Sequence, residues 1–198
     1  MIRWKVVAAL LLLPGLTAAP QRLELAASGN EARYRVREQL ANISFPTDAV
    51  GTTRAVNGAI IIGDDGRIAP EPKITVDLTT LKSDRERRDL FIQGRTLETA
   101  QYPTATLVPT TARGLPSPLP KSGSFTFELA GDLTLHGVTH PTTWQVTAQA
   151  TDSGFVGRAK SHFTFGDFGL TPPQVMVVLS VEDDIRLEYD FHLIQVAR

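Results

Sequence analysis

Apolar and polar residues alternate with period two over much of the chain. In Ala32-Arg33-Tyr34-Arg35-Val36-Arg37 the apolar side chains take one face and three arginines the other. Phe125, Phe127, Leu129, Leu133 and Leu135 share one parity, with Thr126, Glu128, Asp132 and Thr134 opposite. Trp144, Val146, Ala148 and Ala150 alternate with Gln145, Thr147 and Gln149, and Ile185, Leu187, Tyr189, Phe191 and Leu193 with Arg186, Glu188, Asp190 and His192. This period predicts antiparallel strands with one apolar face. Gly63-Asp64-Asp65-Gly66 predicts a hairpin between strands near 54–62 and 67–79. His136-Gly137-Val138-Thr139 predicts another between strands 123–135 and 140–151, and Asp152-Ser153-Gly154 begins the next turn. Roughly eight strands are expected in all.

One segment breaks the period. Ser83-Asp84-Arg85-Glu86 reads as a capping box that starts a helix running to about Gln93, with Gly94 as its C-cap. A shorter helical turn is expected at Leu97–Gln101, ended by Pro103, and a surface loop at Ala112–Gly123. Many strands with one helix suggest a sheet closed on itself, because closure removes the edges an open sheet leaves unpaired. The expected fold is therefore all-β: an eight-stranded antiparallel barrel with one short α-helix, in one domain. Such a barrel is just wide enough for packed side chains or one small ligand.

Residues 1–19 change the picture of where the protein works. Met1–Lys5 is basic, Val6–Leu16 is apolar, and Thr17-Ala18-Ala19 supplies small residues, in the order of a secretory signal. Pro20 hinders a cut directly after Ala19. The apolar run is too short to span a bilayer well. The expectation is a signal peptide at 1–19, a domain at 20–198, and a periplasmic or secreted protein with no membrane span. Arg3 and Lys5 are the only charged residues of that segment, so the remainder carries 18 basic against 21 acidic residues. A mildly acidic domain has little attraction for phosphate backbones, so no nucleic acid partner is expected. The absence of cysteine excludes disulfides, thiolate metal sites and a cysteine nucleophile.

No phosphate loop, dinucleotide fingerprint, HExxH or GxSxG motif occurs in the sequence. His136 and His140 bracket a turn, so their spacing reads as turn histidines exposed to solvent and not as a metal pair. His162 and His192 fall on polar strand positions. Asp167-Phe168-Gly169 matches a kinase tripeptide without its companion motifs and reads instead as a strand end anchored by Phe168. Glu182-Asp183-Asp184 lacks a calcium-loop spacing and reads as a turn. Arg33, Arg35 and Arg37 could clamp an anionic head group, but a solvated outer row paired with acidic neighbours is favoured. No catalytic residue, metal or cofactor is expected.

Three blocks resemble the YceI-like family of exported polyisoprenoid-binding proteins. Asp84–Asp89 followed by Leu97-Glu98-Thr99-Ala100-Gln101-Tyr102-Pro103-Thr104-Ala105-Thr106 is similar to that family's helix and its exit. Gly131–Pro141 is similar to its "G-x-LTL-x-GVT-x-P" hairpin, and Phe163–Leu170 to its "DFG-[IL]" end, with Gly166 where an arginine often stands. The N-terminal strand departs from the family: a histidine-containing segment and a Gly-x-Phe strand are replaced by Glu38-Gln39-Leu40-Ala41-Asn42 and Gly51-Thr52-Thr53. The resemblance implies a lipocalin-like barrel with an elongated cavity for an isoprenoid lipid, of quinone or polyprenyl phosphate type. It implies a carrier or sequestering protein and not an enzyme. The alternatives are an enzyme acting on such a lipid and a stress or structural protein with a filled barrel. The expected lining is Phe125, Phe127, Leu129, Trp144, Val146, Phe163, Phe165, Tyr189 and Phe191, which without the resemblance would read as a packed core. A homodimer is left open.

Overall fold

The computed structural model describes residues 20–63, 67–71 and 73–196. The expected signal at 1–19 and the centre of the expected Gly63–Gly66 turn lie outside these residues. Twelve strand segments join in one antiparallel sheet: β1 Gln21–Leu25, β2 Glu31–Leu40, β3 Thr47–Thr53, β4 Val56–Ile62, β5 Ile74–Asp77, β6 Lys82–Ser83, β7 Thr104–Arg113, β8 Ser124–Leu135, β9 Val138–Thr151, β10 Gly154–Phe163, β11 Val178–Val181 and β12 Ile185–Val196.

Eleven of these segments make eight barrel strands, because three strands are bent. β1 and β2 pair with consecutive stretches of β12, through Leu25↔Leu193 and Ala32↔Tyr189, so they form one strand with a kink. β3 and β4 pair with β2 and β1 respectively, and β6 and β5 pair with β3 and β4. From β5 the sheet runs through β7, β8, β9, β10 and β12 in chain order, and β12 meets β1 to close the ring. The short β11 adds to the end of β2.

Each bend is stapled by side chains. Asn30 is buried at the β1–β2 kink; its Nδ2 donates to the Ala26 carbonyl, and its Oδ1 accepts from the Tyr189 hydroxyl and the His192 N–H, both at 3.0 Å. A buried amide that finds all these partners holds a kink that would otherwise leave backbone groups unpaired. The other two bends face each other, with Thr53 Oγ1 2.6 Å from Thr80 Oγ1. Thr80 closes a 3-10 turn, Leu78–Thr80, whose first residues are capped by the Asp77 carboxylate. The strand expected at 67–79 is therefore broken: a bridge at Ile68 opposite Ile62, then β5, then this turn. Pro70 in the gap has no N–H to give a ladder.

The helical segment also differs from expectation. Helix α1 spans only Glu86–Phe91 and continues as a π-helical turn, Ile92–Thr96, so Gly94 lies inside that turn and is not a C-cap. Ser83 ends β6 and does not cap α1. Its hydroxyl donates to Asp89 Oδ1 at 2.6 Å and accepts from the Arg85 N–H, which shapes the entry to the helix. Leu97–Gln101 forms one hydrogen-bonded turn, Tyr102 N–H to the Glu98 carbonyl. The hairpin between β8 and β9 has a two-residue loop: His136 at φ 51° and Gly137 at φ 75°, the pair of left-handed residues that a type I′ turn demands. Among the described residues no helix is long and apolar enough to cross a membrane.

Candidate functional site

The inward parity of the strands does not fill the barrel. A cavity of about 970 Å³ runs inside it, bordered by Tyr34, Val36, Val76, Leu107, Leu133, Leu135, Ile185 and Leu187 among others. This is at the upper end of ligand-pocket sizes, about 300–1,000 Å³. Of the residues expected from the sequence, Phe127, Leu129, Trp144, Val146, Phe163, Phe165, Tyr189 and Phe191 border it. Phe125 does not. It faces a separate space of about 50 Å³ between Leu23, Leu115, Leu119 and Phe155, with its ring edge-on to Phe155 at 5.7 Å. Ile60, Phe127, Leu129, Phe191 and Leu193 border both spaces and so form the partition between them.

The two ends of the cavity differ. Leu115 and Leu119, from the loop that follows β7, border the small space behind the partition. The other end reaches solvent where the exposed Ala41, Asn42, Arg85, Glu86, Arg87 and Val177 join the lining. Five of the seven large apolar side chains that the described residues expose lie on the segments around this mouth: Phe45, Leu90, Met176, Val177 and Leu179. Gln39–Thr47 and Thr171–Val181 contain no charged residue.

Polar groups of the interior gather near the same end. Ala32, Tyr34, Val36, Glu38 and Leu40 share the inward parity of β2, so Glu38 interrupts an otherwise apolar series. Its side chain is 7% exposed and its carboxylate accepts from Arg88 of α1, whose other Nη donates to Asp84. Burial pushes the Tyr34 phenol above the ordinary tyrosine range, against the lowering effect of Arg88. Tyr189 is raised by burial as well, so both remain neutral hydroxyls. Thr96 Oγ1, on the π-helical turn in the cavity wall, has no hydrogen-bond partner among the described residues. Sequence reasoning missed Tyr34, Glu38, Arg88 and Thr96. The parity of β2 could have found the first two; nothing in the charge run of α1 singles out Arg88.

The other sequence features are structural. Arg33, Arg35 and Arg37 lie on the outer row, where Arg33 meets Glu31, Glu188 and Asp190, and Arg35 and Arg37 meet Asp48. Phe168 is fully buried, 4.8 Å from the ring of Phe163, and Thr164 and Asp167 form a capping box on the 3-10 turn Phe165–Phe168. Asp183 accepts the Phe165 N–H from the acidic turn. His136 is not a solvated turn residue: its Nε2 lies 2.8 Å from Glu98 and its ring packs edge-on to Tyr102. His140 sits in β9 beside Asp167 and Phe168, so the two histidines go to different partners. His162 is exposed and paired with Asp184.

The YceI-like domain model matches residues 28–193. A UPF0312 protein of Pseudomonas putida is 34% identical over 110 residues, which cover 51% of this chain and 54% of that protein, so the chain spans about half the length of such relatives. Protein YceI of Escherichia coli is 28% identical over 145 residues, covering 67% of this chain and 72% of its own. Among solved structures, a polyisoprenoid binding domain from Saccharophagus degradans superposes with a TM-score of 0.64 at 12% identity, covering 88% of this chain and 98% of that one. BcnA of Burkholderia cenocepacia superposes at 0.63 and 14% identity, covering 84% and 98%. At these identities the structures speak to the fold. The match of the domain model across most of the barrel, with the hairpin, helix and Asp167-Phe168-Gly169 end in place, shows that this chain belongs to the YceI-like family.

Proposed function

We propose that this protein binds one prenyl-chain lipid, of quinone or polyprenyl phosphate type, and carries or sequesters it outside the cytoplasm. The observation that carries this reading is the cavity of about 970 Å³ walled by aliphatic and aromatic side chains. An unfilled apolar space of this size inside a small barrel loses packing unless a ligand supplies it, and each CH₂ that leaves water for it gains about 0.8 kcal/mol. The space also speaks against a filled structural barrel. The name of the Saccharophagus degradans domain, polyisoprenoid binding, supports the ligand class. The order of basic, apolar and small residues at 1–19 supports export. We read the protein as a binding module and not an enzyme, because the interior polar groups are tied up in an ion pair or are single neutral hydroxyls. Without residues 1–19 the chain has one tryptophan, Trp144, and it borders the cavity. Titrating delipidated protein with a prenylated benzoquinone should quench Trp144 fluorescence to a saturable endpoint at one ligand per chain. No saturable quenching by any prenyl lipid would refute the proposal.

A further inference from the structure

The polar end of the cavity holds a mostly buried cation, Arg88, that is already paired. The charged groups that act on the Tyr34 hydroxyl are Arg88 on the one side and Glu38, Asp84 and Asp89 on the other. Arg88 is the only cation among them, and two of the three carboxylates hold it: Glu38 through one Nη and Asp84 through the other. Asp89 accepts from Ser83 and adds a further negative charge. At the solvent rim Arg85 and Arg87 are joined by Glu86. These rim charges are exposed and screened, and the buried pair is Arg88 with Glu38, so the mostly buried cation is already committed.

Tyr34 is the free donor in this arrangement. Its ring lies over Gly51, where a Cβ would come within 2.2 Å of Tyr34 Cε1. Burial keeps the phenol protonated, and among the described residues none hydrogen-bonds its hydroxyl. A carbonyl, ether or hydroxyl oxygen can accept from it without disturbing any ion pair. A phosphate would have to compete with Glu38 and Asp84 for Arg88 while lying beside the buried Glu38 carboxylate, and like charges brought together in a poorly solvated site repel strongly.

We propose that this cavity selects lipids with a neutral, hydrogen-bond-accepting head group and discriminates against anionic ones, with Tyr34 as the donor and Glu38 as the residue that withholds Arg88. The inference rests on the lipid-binding reading above and narrows it. The test uses the delipidated protein and three probes with the same prenyl tail: a benzoquinone, the free alcohol and the monophosphate. The quinone is followed by Trp144 quenching, the other two by displacing it. The quinone and alcohol should bind at least about tenfold more tightly than the phosphate. Glu38→Gln should tighten the phosphate by about threefold or more relative to the quinone, since Arg88 gains freedom to pair with it. Tyr34→Phe should weaken the quinone and alcohol by about three- to tenfold more than it weakens the phosphate. A phosphate that binds wild type as tightly as the quinone overturns the selectivity while leaving lipid binding intact. If none of the three binds, the lipid reading itself fails and this inference with it. Should Glu38→Gln not fold, the wild-type comparison and Tyr34→Phe still decide.

Discussion

Tyr34 and Gly51 are directly paired across β2 and β3, and the tyrosine ring occupies the place a side chain at Gly51 would take. The glycine's value here is space and not backbone freedom. Gly51→Ala should therefore cost about 1–3 kcal/mol, as overpacking does, and should displace Tyr34 from the cavity wall. Chemical denaturation measures the first effect. A variant as stable as wild type would show that Tyr34 has room to move aside.

The outer ion pairs make stability depend on acid. Hydrogen bonds from Arg33 to Glu31 and from Arg158 to Asp190 hold those carboxyls below their usual range. For Glu188 and Asp48 burial is the largest single influence and acts in the opposite direction, but the surrounding arginines together outweigh it: Arg33, Arg35 and Arg158 at Glu188, Arg186 and Arg35 at Asp48. A folded pKa below the unfolded value gives stability that is present above the unfolded pKa and is lost as pH falls through the folded one. The urea midpoint should hold from neutral pH down to the ordinary carboxylate range and drop below about pH 4. Arg33→Met should cost about 1–3 kcal/mol at neutral pH and flatten that drop. Equal slopes for wild type and variant would show that the row contributes nothing.

Phe127 belongs to the partition between the two internal spaces. Phe127→Ala should join the 50 Å³ space to the large cavity and let the barrel accept a longer tail. One side of the ring already faces empty space, so the stability loss should be smaller than the about 3–5 kcal/mol of a packed-core Phe→Ala change. Affinity across a series of prenyl alcohols checks this. The longest alcohol that binds should be longer for the variant; an unchanged limit would mean the partition is made by other residues.

Strand parity carried most of the barrel. The alternations of β8, β9 and β12 correspond to strands whose inward residues border the cavity or its core, and the β8–β9 hairpin falls at His136-Gly137. The kinks were not legible, because each depends on a partner distant in sequence: Asn30 needs Tyr189 and His192, and Thr53 needs Thr80. The start of α1 misled for a related reason. Ser83 has the spacing of a cap, but the β3 pairing draws it into β6 and its hydroxyl turns to Asp89. For the site, inward parity placed the apolar wall, while the cavity itself is a property of how far eight strands hold their inner faces apart. Phe125 shares the parity of Phe127 and still falls outside the main cavity, because it borders the separate small space that Leu115 and Leu119, from a loop distant in the pattern, help to line.

The most direct measurement is native mass spectrometry of the protein purified from its own host, with the bound species released and identified. The account predicts one non-covalent adduct per chain whose mass and fragmentation are those of a prenyl lipid. It also predicts that Phe127→Glu, which would place a charge against an apolar wall, yields folded protein without that adduct. A wild-type protein that carries no lipid and takes up neither quinones nor polyprenyl lipids when they are offered would contradict the account.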